Sequence, residues 1–215
     1  MKNLLVVMSV LVLAVSAHAD LLAGWELTGI NASANPVFTG TTVAANITLA
    51  GTVLSLGSGV TPSGTASTFG GTSWGATDYA GAFAANEYIS WFLQAEAGYS
   101  LSVTNVRFDF EKTPAGISNL VVQSSFDGFT ANLFASNGMA NTTVSPSFGV
   151  NLSGSNSVEF RLYGWNAGSA AGVARFRNLA GEDLEIQGTV IPEPGTLALM
   201  GLSLLGLAIL RRKLG

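Results

Sequence analysis

Carboxylates have the widest chemical scope of any residue type in this chain, because histidine and cysteine are nearly absent. The 215 residues include no cysteine and one histidine, His18. His18 lies in an N-terminal segment that we expect to be removed, so the remaining chain has no imidazole base, thiolate nucleophile or common zinc site. Ser-His-Asp and Cys-His catalysis are thereby excluded. Carboxylate catalysis and oxygen-ligated calcium remain.

A glycosidase pair is the first arrangement to consider. Asp109 and Glu111 share one face of a predicted strand, and Glu159 faces outward on another. Glycoside cleavage needs two carboxylates roughly 5 or 9 Å apart, one of them with a raised pKa. Arg107 and Lys112 are close in sequence and would lower these pKa values. We therefore expect no enzymatic activity and keep a glycosidase or esterase only as the less favoured alternative.

Calcium is the only cofactor that the sequence leaves open. Asp20, Glu26 and Asp183 would come together if the first and last strands of a sandwich lie side by side, and oxygen ligands of this kind bind calcium. The alternative is that Glu182-Asp183, beside Gly181, forms a solvated turn.

Two tryptophans, Trp74 and Trp165, are candidates for contact with a glycan. Exposed rings can cover the apolar face of a sugar, so this pair could bind a polysaccharide. The alternative is that the rings pack in the protein core.

Apolar and polar residues alternate along most of the chain, which is typical of strands with one buried face. The clearest example is the segment 106–111, where valine and phenylalanine alternate with charged residues. The predicted strands are 22–30, 47–56, 88–95, 99–103, 106–111, 120–123, 131–135, 158–162 and 184–190. Val60 to Ala85 is poor in strand signals and is predicted to be a long loop. We predict an all-β fold, a single antiparallel β-sandwich over 20–190.

The N-terminus has the three parts of a secretory signal peptide. Lys2 is followed by an apolar stretch from Leu4 to Val15 and by Ala17-His18-Ala19, a small-x-small cleavage site. We expect residues 1–19 to form a signal helix that signal peptidase removes after Ala19. The mature protein would then begin at Asp20.

The C-terminus combines Pro192-Glu193-Pro194, an uncharged apolar run at 195–210, and the basic residues Arg211, Arg212 and Lys213. The run is predicted to be a transmembrane helix, and the basic cluster should stay on the cytoplasmic side. Its length as a helix is about 24 Å, below the roughly 30 Å of a bilayer core. The helix therefore fits a transient membrane segment, although a plain anchor is the alternative.

These three C-terminal parts, in this order, resemble the PEP-CTERM sorting signal of Gram-negative bacteria over residues 191–215. The resemblance implies processing by an exosortase, a membrane transpeptidase thought to cut at the Pro-Glu-Pro element. It also implies an inner-membrane intermediate, followed by delivery to the cell envelope, the surface or the extracellular matrix. Such signals accompany exopolysaccharide production, so a biofilm setting is expected.

The remaining chain resembles jelly-roll sandwiches that often precede such signals. The matching features are an early Trp25, a central turn at 124–129, a closing Phe-Arg-x-Tyr-x-Trp segment at 160–165, and the glycines Gly172 and Gly188. This resemblance supports a jelly-roll-like fold more than any activity.

The charge balance excludes one class of partner. Between residues 20 and 190 there are five basic and twelve acidic residues, a net charge of about −7. Such a surface repels nucleic acid, so no nucleic-acid partner is expected. We expect a structural or adhesive component of the extracellular matrix. The alternative is a carbohydrate-binding module that recognises exopolysaccharide.

Overall fold

A computed structural model describes residues 20–139, 144–193 and 195 of the chain. The predicted signal helix, the apolar run beyond Gly195 and the basic tail lie outside the described residues. Within those residues, no helix has the length and apolar character needed to cross a membrane.

The domain consists of antiparallel sheets with one short α-helix, so the prediction of an all-β antiparallel sandwich is confirmed. The strands are β1 Asp20–Trp25, β2 Val37–Thr39, β3 Thr42–Val43, β4 Val53–Leu56, β5 Thr61–Pro62, β6 Thr68–Thr72, β7 Tyr88–Gln94, β8 Tyr99–Phe108, β9 Phe110–Lys112, β10 Asn119–Ser124, β11 Phe134–Ser136, β12 Ser147–Ser155, β13 Ser157–Trp165, β14 Ala174–Arg177 and β15 Leu184–Pro192. The helix α1 is Tyr79–Ala85, and short 3-10 turns occur at Leu49–Gly51 and Ser125–Asp127.

Three sheets form the layers. A five-stranded sheet has the order β12-β8-β15-β1-β3, a six-stranded sheet has the order β11-β10-β13-β7-β4-β2, and a four-stranded sheet has the order β5-β6-β14-β9. The first and last strands are neighbours, with Asp20 opposite Gly188 and Trp25 opposite Leu184. The two ends of the domain therefore meet at one end of the five-stranded sheet.

Aromatic residues from all three sheets form the centre of the core. The ring of Trp91 on β7 lies 5.6 Å from Phe160, 6.1 Å from Phe108 and 5.6 Å from Phe176, centroid to centroid. All four residues are buried. With no cysteine in the chain, this apolar burial is the main source of stability.

The predicted strand at 106–111 divides at Asp109. β8 ends at Phe108 in the five-stranded sheet, and β9 begins at Phe110 in the four-stranded sheet. The Asp109 N–H donates to the Asp183 carbonyl rather than to a ladder partner, at 2.7 Å. The alternating pattern is correct for both halves, but it cannot show that the chain changes sheets between them.

The predicted long loop at 60–85 is wrong, because it contains β5, β6 and α1. The glycines of β6 are the reason that this strand was not predicted from the sequence. A Cβ at Gly71 would lie 2.0 Å from the Thr61 carbonyl oxygen, so only glycine allows the backbones of β5 and β6 to approach this closely. At the other end of the segment, Asp78 caps α1 by accepting a 2.8 Å hydrogen bond from the Gly81 N–H.

Candidate functional site

The predicted sorting motif begins inside the last strand of the sandwich. β15 runs to Pro192, which lies opposite Tyr99 on β8, and Ile191 lies opposite Ser100. The N–H of Glu193 donates to the carbonyl of Gly98 at 2.9 Å. Glu193 itself is exposed, and Pro194 is outside the described residues. The first two motif residues are thus held in extended form against the β7–β8 turn, a contact that could not be predicted from the sequence.

The expected first residue of the mature chain lies at the same end of the sheet as Pro192. Asp20, the expected first residue of the mature chain, is exposed at the start of β1 and pairs with Gly188, four positions before Pro192. Ala17 and Ala19 are outside the described residues, as are Arg211, Arg212 and Lys213.

The structure does not bring the three candidate calcium ligands together. Asp20 lies at one end of β1, whereas Glu26 follows its other end, about 20 Å away at roughly 3.3 Å per residue. Asp183 is near Glu26, but both of its carboxylate oxygens already accept backbone hydrogen bonds, from Leu27 at 2.8 Å and Leu179 at 2.6 Å. Among the described residues, no group of three or more histidine, cysteine or acidic side chains is arranged to hold a metal.

Asp183 is also not part of a solvated turn, because it is fully buried. Burial raises the pKa of its carboxyl group above the ordinary value, and the nearby charges of Glu26 and Asp109 act in the same direction. The two backbone hydrogen bonds act against this shift without cancelling it. Asp183 therefore joins the β14–β15 connection to the segment after β1 and is a structural residue.

We expect calcium to leave the stability of the domain unchanged. The thermal midpoint of the protein should be the same in chelator and in millimolar calcium. A ligand that binds only the native state would raise the midpoint by mass action. Differential scanning calorimetry measures this directly. A calcium-dependent rise in the midpoint would contradict the prediction.

The candidate glycan residue Trp74 is in the core. Its ring is 1% exposed, and its Nε1 donates to the Gly71 carbonyl at 2.9 Å, so it offers no face to a sugar. Trp165 is half-buried at the end of β13, with its ring 6.2 Å from that of Tyr79 on α1. The two tryptophans thus form no common platform. Trp74 looked exposed only because the surrounding segment was predicted to be a loop.

The three candidate catalytic carboxylates are each bound to an arginine. Asp109 pairs with Arg107 at 2.8 Å and also accepts a hydrogen bond from Ser145, Glu111 pairs with Arg175 at 2.6 Å, and Glu159 pairs with Arg161 at 2.7 Å. Asp109 is fully buried where the chain changes sheets, so it offers no carboxylate to a substrate. These contacts give all three carboxylates structural roles.

Arg161 is the centre of a cluster that sequence reasoning missed. Its guanidinium group lies 4.6 Å from the ring centroid of Tyr88 and 4.1 Å from that of Phe129, and it binds both carboxylate oxygens of Glu159, at 2.7 and 3.0 Å. The ion pair and a hydrogen bond to Tyr163 outweigh the effect of burial and raise the pKa of Arg161. Two segments quoted for the jelly-roll resemblance, the central turn and the closing strand, therefore meet at this residue.

The central turn is itself fixed by Asp127. Its carboxylate accepts hydrogen bonds from the N–H groups of Thr130 at 3.2 Å and Ala131 at 2.7 Å, and Gly128 adopts the left-handed conformation that follows the 3-10 turn. Burial raises the pKa of Asp127, but the hydrogen bonds from Ala131 and Thr130 together outweigh it and lower the pKa overall. The turn thus positions Phe129 against Arg161.

Comparison with known proteins identifies one element of the chain. The PEP-CTERM protein-sorting motif matches residues 190–213, from the last rungs of β15 through the basic cluster. The comparison with curated proteins gave no match. The chain is therefore an exported protein that carries a PEP-CTERM sorting motif directly behind a β-sandwich domain and is processed by an exosortase.

Proposed function

We propose that the mature protein is a non-catalytic structural or adhesive component of the extracellular matrix. The proposal rests on the contacts made by the carboxylates that could act in catalysis. Asp109, Glu111 and Glu159 are held in arginine pairs, and Asp183 is held by two backbone N–H groups. A general acid must reach the substrate and be free to transfer its proton, and each of these four side chains is instead held by contacts within the domain.

Delivery to the surface fits this role. The sorting motif continues from the central strand β15 without an intervening linker, so the sandwich stays folded up to the point of processing. We propose that the exosortase releases the domain to the envelope or matrix of a Gram-negative cell, in a setting of exopolysaccharide and biofilm.

A carbohydrate-binding module is the second candidate, and one surface favours it. On the outer face of the six-stranded sheet, Phe92 lies opposite Glu159 and beside the Arg161 cluster, and its ring is half-buried. An accessible ring next to a charged hydrogen-bonding pair can contact both the apolar face and the hydroxyl groups of a sugar. We call the surface formed by Phe92, Glu159 and Arg161 the outer-face patch.

A glycan array separates the two candidates. With residues 20–193 as the probe, the structural role predicts no oligosaccharide binding above background, together with loss of cell cohesion when the gene is deleted. Phe92→Ala is the variant for the outer-face patch. Its matched control is Val37→Ala, which removes an exposed apolar side chain from the same sheet. Binding that Phe92→Ala weakens tenfold or more, and that Val37→Ala leaves intact, would replace the structural role with the carbohydrate-binding one.

A further inference from the structure

The end of β15 is both the last part of the sheet and the first part of the sorting motif. β15 pairs with β8 as far as Pro192, which lies opposite Tyr99. One residue further, the Glu193 N–H donates to the Gly98 carbonyl at 2.9 Å. The folded domain therefore holds the first two motif residues against β8.

Pro192 occupies a position of the ladder that a proline can fill. In an antiparallel pair, residues that exchange hydrogen bonds with the partner strand alternate with residues that do not. Because Glu193 bonds to Gly98, the next residue upstream whose backbone groups face β8 is Ile191. Ile191 lies opposite Ser100. The missing N–H of Pro192 therefore costs no hydrogen bond to β8, and the first proline of the motif fits the sheet.

The same pairing withholds the motif from an enzyme. An enzyme that binds an extended segment uses the backbone groups of that segment and its alternate side chains. The backbone groups of Ile191 and Glu193 that face β8 are already bonded there. In addition, only Pro194 separates Glu193 from the apolar run that begins at Gly195, a distance of about 3.3 Å per extended residue. The β7–β8 turn at 96–98 therefore lies directly against the residue that a membrane enzyme has to enclose.

The final residues of β15 are also the part of the strand that detaches most easily. Leu184 and Ile186, near its start, are fully buried, whereas Ile191 is 43% exposed and Glu193 is exposed. Separation of residues 191–193 from β8 uncovers little apolar surface and breaks only the last rungs of the ladder. Such local opening costs far less free energy than global unfolding. The rest of the sandwich thus stays folded while these rungs open.

We propose that residues 191–193 separate from β8 before the exosortase processes the chain, and that this local opening sets the rate of processing. Gly98 and Ser100 are then positioning residues, because they hold the motif on the sheet until it opens. The inference rests on exosortase processing of this chain and adds a step that precedes the cut. It makes the folded sandwich, and not only the motif, a determinant of how fast the chain is processed.

A reversible cross-link between the two strands tests the proposal. Ser100 and Ile191 form a hydrogen-bonding pair, whose Cα atoms are about 5.5 Å apart, a separation that a disulfide spans. The chain has no cysteine of its own, so Ser100→Cys combined with Ile191→Cys gives a single defined bridge. In a pulse-chase experiment in the native host, the cross-linked form is identified by its resistance to thiol labelling. We expect its processing to slow by roughly tenfold or more, and dithiothreitol to restore the wild-type rate.

Ser102→Cys combined with Thr189→Cys is the matched control. These two residues also lie opposite each other on β8 and β15, two positions upstream, so their bridge leaves residues 191–193 free to open. Processing should match that of the wild type in both redox states. Normal processing of the cross-linked 100–191 variant would overturn the proposal, and so would equal slowing by the two bridges. Absence of processing in the wild type as well would contradict exosortase processing itself, and the proposal with it.

Weakening the ladder provides a variant with the opposite expected effect. Ser100→Pro removes the N–H that faces Ile191, so the last rungs lose a backbone hydrogen bond while the motif is unchanged. We expect this variant to be processed several-fold faster than the wild type, because the loss of one backbone hydrogen bond raises the population of the open end by a factor of that size. The thermal midpoint of the domain should fall only slightly, since the change lies at the end of the strand. Processing at or below the wild-type rate would overturn the proposal.

Discussion

Asp183→Ala is expected to lower the free energy of unfolding by roughly 3–5 kcal/mol. The substitution leaves the N–H groups of Leu27 and Leu179 without their acceptor in a buried site. A charge-assisted hydrogen bond is worth about 1.5–3 kcal/mol, and an unsatisfied buried donor has a comparable cost. For a domain of this size, the thermal midpoint should fall by about 10–15 °C.

Glu182→Ala is the matched control for this measurement. Glu182 is the preceding residue and also a carboxylate, but its oxygens accept from the hydroxyl groups of Thr41 and Thr42 near the surface. Its removal should cost less than about 1 kcal/mol, since exposed partners can bind water instead. Chemical denaturation of the two variants gives the comparison. Equal losses would contradict the structural role assigned to Asp183.

The same residue predicts a pH dependence of opposite sign to that of most carboxylates. The pKa of Asp183 is raised in the folded state from its ordinary value of 3.8, so folding takes up a proton between these two values. Its titration therefore favours the folded state most below pH 3.8, and this contribution is lost as pH rises through the folded-state pKa. Accordingly, the stability difference between the wild type and Asp183→Ala should shrink as pH rises above 3.8.

Replacing Pro192 and Pro194 by alanine should abolish C-terminal processing and cause full-length protein to accumulate in the inner membrane. The apolar run and the basic cluster are unchanged in this variant, so insertion into the membrane should survive. What is lost is the fixed φ angle of each proline, together with the restriction that Pro194 places on the backbone of Glu193. Immunoblots of the inner-membrane and extracellular fractions would show the shift in size.

Thr196→Ala is the control for the proline variant, because it makes a small change just after the motif and keeps both prolines. Its processing should match that of the wild type. Normal processing of the double proline variant would mean that Pro-Glu-Pro is not a recognition element and that the segment is a plain membrane anchor.

Sequence periodicity predicted the parts of the fold that depend on local pattern. The strands β7, β13 and β15 appear close to their expected positions, because β13 and β15 alternate apolar and polar residues and β7 is rich in apolar and aromatic residues. The pattern failed where tertiary contacts decide. Asp109 is buried where the chain changes sheets. The strand β6 contains Gly70 and Gly71 because the neighbouring backbones approach too closely there for any side chain.

The sorting motif was also predictable, since its three parts are contiguous in sequence. Its attachment to the sandwich was not. Proline is rare in strands away from a sheet edge, so nothing indicated that β15 continues to Pro192, or that a carbonyl some ninety residues upstream holds Glu193. The candidate ligand residues failed for a related reason, because identity and spacing do not show whether a carboxylate such as Asp183 is already bound by backbone N–H groups.

The protein is exported and processed by an exosortase through the motif that begins at the end of β15. The most direct test is mass spectrometry of the wild-type protein recovered from the envelope and extracellular fractions. We expect a chain that begins at Asp20 and lacks every peptide from Leu197 to Gly215. Surface protein that retains this C-terminal segment would contradict it.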